Sequence, residues 1–251
     1  MLHSNNYPYN PRYKAILQYN PTTDEPFIAL PAPYSNIRLT PARLSDADAI
    51  PPIMNIPEVA MYLNSPPFPF PKEHGQAWLQ ESLRDYEGAM THIRKVEENV
   101  GYIDLFPLRH IREIGPDGTE TFLGDVHLSR EDRFDHIDDM GLREAKVSEN
   151  AILPPGDPSI VWSIGDYLSP THHGRGIMTA VINTVIWSWA VPHMNARKYE
   201  VGAFTDNVGS QKVFLKNGFQ FNRKIEGVMT FPESKGGHVK DAYCYRLDIP
   251  E

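Results

Sequence analysis

The sequence predicts an α/β (α+β) fold in which helices cover a mixed sheet, and three observations carry that prediction. In the last third, residues 159–168 (SIVWSIGDYL) and 198–204 (KYEVGAF) read as strands, and the apolar run 176–191 between them reads as a buried helix. A shorter helix over 207–217 and strands near 219–226 and 241–248 continue this alternation, which argues for a sheet covered by helices. The 23 prolines crowd into 8–33, 51–71, 154–158 and the last few residues. These stretches are loops and connectors, because proline has a fixed φ and no N–H to donate. Finally, 251 residues are enough to bury a full core, which suits one ordinary domain with insertions.

Taken in order, residues 1–35 read as an irregular arm whose tyrosines and phenylalanine favour wrapping over the domain. Residues 36–40 (NIRLT) alternate like a short strand, and SDAD at 45–48 supplies cap candidates for a helix. PPFPFP at 66–71 separates that helix from another carrying Ala77, Trp78, Leu79 and Leu83. Strands are expected at 99–106 and 122–128, the second with Phe122, Gly124, Val126 and Leu128 on one face. The charged stretch 130–150 is an insertion, either a solvated loop or a short helix. In the 207–217 helix Asn207 is the N-cap, Lys216 sits in the last turn, and Gly218 takes the position favoured for a left-handed C-terminal cap. The expected organisation is thus an irregular arm over 1–35 and a single domain over 36–251, with insertions near 107–120 and 130–158.

Composition excludes some functions. Asp and Glu total 32 against 24 Lys and Arg, a net charge of -8, so a general attraction to nucleic acid or to an anionic membrane is not expected. An acidic surface suits a cationic small molecule or peptide better. Cys244 is the sole cysteine, which rules out an internal disulfide and suits a small strand hydrophobe in a reducing compartment. The N-terminus lacks the apolar core of a signal peptide, and the run 176–191 falls short of the ~20 apolar residues of a membrane span. A soluble, cytoplasmic protein is expected, with a nuclear location also compatible.

THHGRGIMTA at 171–180 joins a strand to a helix through two glycines. Such a turn gathers free backbone N–H groups and the positive end of the helix dipole, which makes an anion site suited to phosphate or pyrophosphate. A Walker A loop is excluded because no lysine precedes Thr179, and a dinucleotide fingerprint starting at Gly174 would need glycine or alanine where Thr179 stands. By itself the pair of glycines is also compatible with a purely structural turn.

A second segment, NVGSQKVFLKNGF at 207–219, gives the turn its context. With HHGRG at 172–176 it resembles the GNAT superfamily of acyl-CoA-dependent N-acetyltransferases. Gly174 and Gly176 match the first signature, Gln/Arg-x-x-Gly-x-Gly/Ala, with Thr171 at the Gln/Arg position. Asn207, Ser210, Lys216, Gly218 and Phe219 match the second. RLTP at 38–41 and the stretch from Gly124 to Leu128 resemble the RimJ/RimL-like branch. The resemblance runs over roughly 36–249 and is specific in the last third.

The resemblance implies a GNAT-like, mostly antiparallel central sheet in which a splayed strand pair forms an acyl-CoA cleft. It implies that Ile164, Tyr167 and Leu168 serve the thioester and pantetheine arm. The turn from His173 through Gly174, Arg175, Gly176, Ile177 and Met178 to Thr179 would serve the pyrophosphate, with Asn207 and Ser210 as further cofactor-binding residues. Arg175 is equally compatible with a solvated loop residue, and His172 and His173 lack the third ligand of a metal site, so no metal is expected.

Acetyl transfer to an amine needs a neutral amine, a polarised thioester carbonyl and a protonated departing thiolate. Many members of the family use a tyrosine for the last task, and Phe214 stands at that position here. Ser210, one helical turn earlier, is the implied thiol acid, with Phe214 left to core packing; Ser210 also reads as a cap. Asp166, Glu200 and Glu226 are candidate bases, with Glu226 preferred because the resemblance implies an acidic residue late in the chain. The acceptor is expected to meet the loop 66–71, the insertion 130–158 and the hairpin 230–238. It is a small-molecule primary amine or, alternatively, a peptide N-terminus, with a monomer and a homodimer both open. Phe214 and Thr171 also admit a non-catalytic acyl-CoA sensor.

Overall fold

A computed structural model describes residues 8–95 and 101–250. Strands β1 (Gln18–Asn20), β2 (Glu25–Ala29), β3 (Ile37–Thr40), β4 (His110–Ile114), β5 (Glu120–Arg130), β6 (Val161–Leu168), β7 (Lys198–Phe204), β8 (Gln220–Thr230) and β9 (Val239–Asp248) form one sheet. Its order is β1-β2-β3-β4-β5-β6-β7-β9-β8. Every neighbouring pair is antiparallel except β6 and β7, which are parallel. The helices are α1 (Ile50–Met54), α2 (Pro57–Ala60), α3 (Lys72–Ile93), α4 (Met140–Ile152), α5 (Ile177–Thr184) and α6 (Val208–Lys216). Among the described residues no helix is long and apolar enough to cross a membrane.

The parallel pair is short. Only Val161 with Lys198 and Trp162 with Tyr199 are in register, after which β6 stays with β5 while β7 stays with β9. The strands therefore diverge from residue 163 onward and leave a wedge in the middle of the sheet. Two apolar clusters hold the layers on either side. In β6, Ile164 and Leu168 belong to the larger cluster, while Tyr167 between them packs on the smaller one, as the alternation of a strand requires. The larger cluster is built on Trp162, Trp189, Tyr13 and the apolar face of α5, side chains whose full burial stabilises the fold by roughly 1.5–3 kcal/mol each.

Several expectations are corrected. The segment 1–35 is not irregular over its described part: β1 and β2 form a hairpin that pairs onto β3, and the aromatic Tyr9 and Tyr13 are buried in the main core. β4 also occupies the expected insertion 107–120, where it pairs with β5, which begins at Glu120. The strand expected at 99–106 is absent over 101–106, and its first two positions lie outside the described residues. Ile103 and Phe106 are buried there as a loop, since the amide of Ile103 donates to the His193 carbonyl and Trp189 Nε1 donates to the Leu105 carbonyl. In β5 a bulge separates the partners of Ile111 and Arg112, so Leu123 joins Val126 and Leu128 in the main core while Phe122 turns to the other cluster. One extra residue changes the phase of a strand, which alternation alone cannot reveal. The helix expected to end at 191 instead widens to π winding over Val185–Met194, enclosing Pro192, and stops at Asn195 with φ 52.

Candidate active site

The wedge between β6 and β7 opens into a cleft of about 1060 Å³. One end of it, beside the glycine turn, is built from the residues 172–174 and 176–179, and from α6. Gly174 has φ +72 and Gly176 φ +80, conformations that side-chain-bearing residues adopt at a cost. Nothing lies within 4 Å of the space a Cβ would take at Gly174, so its backbone is open to the cleft. At Gly176 the reason is crowding as well: a Cβ would stand 2.5 Å from Tyr34 Oη. That hydroxyl donates to the carbonyl of Arg175 at 2.8 Å, so the arm braces the turn from behind. Ile177, Met178 and Thr179 begin α5 directly after Gly176 and line the same space.

Asn207 caps α6 by accepting from the Ser210 amide at 3.1 Å. The cap uses the amide of Ser210, which leaves its hydroxyl outside the capping bond, and Ser210 lines the cleft. Phe214, 1% exposed, packs edge-on against Phe219 in the main core. Lys212 and Lys216, four residues apart on one helix face, also line the cleft and supply cations there. The sequence reading assigns Lys216 only as a helix-end charge, and the i, i+4 spacing of the two lysines is the signal that links them.

Two expected phosphate contacts are turned elsewhere. Arg175 is half exposed, does not line the cleft, and leans toward Glu113 of β4 at 3.9 Å. His173 lines the cleft, yet its Nε2 is hydrogen-bonded to the Leu168 carbonyl at 2.8 Å and so secures the end of β6. His172 is likewise taken up by Thr171 Oγ1 and Glu113.

The three carboxylates differ sharply. Asp166 lines the cleft on β6; burial, and then the nearby Asp125 carboxylate, raise its pKa to about 7. Asp125 itself remains ionised. Burial pushes it upward, but the charge and two hydrogen bonds of Arg109, at 2.7 and 2.9 Å, hold it below the ordinary carboxylate range. Behind Asp125 lies His110, whose Nδ1 meets Asp46 at 2.7 Å, and Arg112 donates to the same carboxylate oxygen at 2.7 Å. Asp46, expected only as a cap candidate, is thus the buried anchor of a polar network under the site. His127 on β5 also lines the cleft, its pKa lowered by burial and then by Arg109.

Glu200 is buried in the cleft wall and engaged: it pairs with His136 Nδ1 and accepts from Arg246 Nε at 2.9 Å. His136, Glu200 and Cys244 bring potential metal-ligating atoms within 4.8 Å of one another. Arg246 already supplies a positive charge there, donating to both Glu200 and His136. Glu226, the preferred base, is 81% exposed, pairs with Lys224 and does not line the cleft. It falls where the register of β8 against β9 shifts, between Ile225 and Met229, and faces solvent.

The remainder of the cleft, where the sequence places the acceptor, was the least legible. The proline loop 66–71 does not line the cleft, because Phe70 is buried in the smaller cluster and Asn55 holds its backbone. Glu58, Val59, Tyr62, Leu63 and Asn64, from α2 and the turn after it, stand there instead. From the expected insertion come Asp132, Arg133 and Asp135, together with Glu131, whose pKa is raised by burial although it accepts amides from Arg133 and Phe134.

A model of the acetyltransferase (GNAT) domain matches residues 36–220, most of the chain. The chain belongs to the GNAT family. A protein of Bacillus subtilis (strain 168) named Probable N-acetyltransferase YjcK is 35% identical over 71 residues, a stretch that is 26% of this chain and spans only 39% of that relative's length. Solved GNAT structures share the fold at low identity. A RimL ribosomal L7/L12 α-N-protein acetyltransferase in complex with coenzyme A is 13% identical, with a TM-score of 0.57 over 89% of this chain and 98% of that one. The microcin C7 self-immunity acetyltransferase MccE with acetyl-CoA and AMP is 17% identical, with a TM-score of 0.54 over 86% and 93%. The ribosomal-protein-S5-alanine acetyltransferase of Vibrio fischeri is 15% identical, with a TM-score of 0.57 over 86% and 94%. The nine-stranded, mostly antiparallel sheet with a splayed pair agrees with the fold class expected from the sequence.

Proposed function

We propose that this protein is an N-acetyltransferase that moves the acetyl group of acetyl-CoA to a primary amine of a small molecule by direct attack in a ternary complex, with residues 36–251 as the acetyltransferase unit. The observation that carries this reading is the divergence of β6 from β7 after Trp162 and Tyr199, in the same cleft as the two left-handed glycines and the start of α5. The donor set fits the cosubstrate: unpaired β7-side backbone of β6 for an amide-rich arm, and the turn amides with Lys212 and Lys216 for phosphates. Bound acetyl-CoA supplies an activated acetyl thioester, and transfer to the amine releases the thiol.

The chain's own groups handle the protons. An ammonium must lose a proton before its nitrogen can attack, and Asp166, with a pKa near 7, is matched to accept one at neutral pH. The Ser210 hydroxyl, free of the cap, is the candidate to protonate the leaving sulfur. Phe214 carries no proton to give, and its burial supports a packing role. Glu200 is committed to His136 and Arg246 and acts as a wall residue. Glu58 and Asp132, acidic groups at the acceptor end, favour an acceptor that arrives as a cation, while Asp135 is taken up by Arg133 and Arg143.

Calorimetry with acetyl-CoA, followed by thiol release against a panel of small amines and peptides, tests the proposal. Heat of binding together with turnover of a small amine is the expected result. Binding without any turnover would mark a sensor, and a well-folded protein that shows no heat would end the acyl-CoA reading.

A further inference from the structure

Two lysines of the β8–β9 unit tie opposite walls of the acceptor half together. Lys235 lies in the short helical turn Glu233–Lys235 between β8 and β9 and is 2% exposed. Its Nζ donates to the carbonyl of Leu63 at 2.6 Å, across 172 positions of sequence, and stands 5.5 Å over the Phe231 ring. Burial lowers its pKa, and among the described residues no salt bridge accompanies it. Lys240, in β9, pairs with Asp206 and sits over three rings, 5.1 Å from Tyr62, 5.4 Å from Phe204 and 5.8 Å from Phe231.

Apart from Phe231, the partners of these lysines line the cleft, and the lysines do not. Tyr62 and Leu63 from the α2 side and Phe204, Asp206, Val228 and Met229 from β7, the turn after it and β8 all line the cleft, and neither lysine does. An ammonium taken out of water with one carbonyl and a ring face for company is costly. A loop that merely closed a hairpin would leave such a side chain in solvent. The cost is understandable if the contact itself, between the turn after α2 and the β8–β9 loop, is what the lysine serves.

We propose that Lys235 and Lys240 are specificity-determining residues: they clasp the Tyr62–Leu63 turn to the β8–β9 hairpin, so that the acceptor end admits a small primary amine and refuses a polypeptide N-terminus. The inference rests on the acetyltransferase reading. A small amine reaches the interior without disturbing the clasp, whereas an extended chain lying between those walls has to break it, and exclusion of this kind discriminates as effectively as added attraction.

The test compares kcat/KM for a small primary amine and for a peptide with a free N-terminus, in wild type, in Lys235→Ala and in the double variant with Lys240→Ala. Wild type is expected to strongly prefer the small amine. In the double variant the peptide-to-small-amine ratio should rise by at least about tenfold, with the KM for acetyl-CoA unchanged. A wild type that accepts the peptide as readily as the amine, or a ratio that does not move, overturns the clasp. Should the double variant fail to fold, Lys235→Glu alone, which sets a carboxylate against the Leu63 carbonyl, must show the same shift. If no amine is turned over by wild type, the acetyltransferase reading has failed and amide exchange decides the clasp. Tyr62 and Leu63 amides exchanging at least about tenfold faster in Lys235→Ala would keep it, and equal exchange would refute it.

Discussion

The two ends of the cleft are built by different means. The end proposed for the nucleotide is local: a strand, a turn with two positive-φ glycines and the first turn of α5 follow one another between 161 and 184, with α6 close behind. The acceptor end is assembled from pieces far apart, α2 with its following turn, the bulged strand β5, the segment 131–135 and the β8–β9 hairpin. Backbone geometry makes the first, and side-chain contacts over more than a hundred positions make the second. A site that must grip an invariant carrier can be written in a short motif, while a site that selects a partner has to be composed from the whole chain.

The sharpest way to break this contrast is at Asp166, where the two ends meet. Asp166→Asn should lower kcat by about 10²–10⁴, and the rise of wild-type kcat/KM through a pH of about 7 should vanish in the variant, as read from pH–rate profiles. The same substitution has a stability signature of defined sign. A carboxyl whose folded pKa is raised favours the folded state below its unfolded value of 3.8 and loses that contribution as pH rises through about 7. Asp166→Asn should therefore stabilise the protein above pH 7, by up to about 4 kcal/mol, and leave it unchanged near pH 3, in denaturant titrations.

At the nucleotide end, Gly176→Ala meets both a φ of +80 and Tyr34 Oη. A backbone cost of ~1–2 kcal/mol plus the clash should weaken acetyl-CoA binding by roughly 10–100-fold in calorimetry, and Tyr34→Phe in the same chain should return part of the loss. Ser210→Ala should reduce kcat about tenfold while the dissociation constant for acetyl-CoA holds, because Asn207 keeps its bond to the amide of residue 210. Glu226→Gln, on the solvent side of β8, should change stability by less than about 0.5 kcal/mol and leave turnover alone.

These differences also explain what could be read in advance. Gly174, Gly176, Asn207 and Gly218 were legible because each serves the conformation of its own few neighbours, and Gly218 indeed takes φ +89. Ser210 and Asp166 were recognisable as cleft candidates by their places in those segments. Arg175 and Glu226 misled because a charge in sequence carries no direction; Glu113 and Lys224 draw them away. His127 and Glu131 escaped notice because their surroundings, Arg109 and the amides after Glu131, depend on the register of β5 and on a loop inside a charged stretch. The segment 101–106 alternates like a strand and yet finds its hydrogen bonds on a π-wound helix, a partner no local pattern announces.

Tyr34 carries a wider consequence. Its hydroxyl reaches a carbonyl 141 positions downstream, so the glycine turn is shored up by a segment from another part of the chain. Removal of the chain through Tyr34 would take this brace away while every residue that lines the cleft stayed intact. An assay of a shortened chain would then report a weak enzyme whose defect lies nowhere in its pocket.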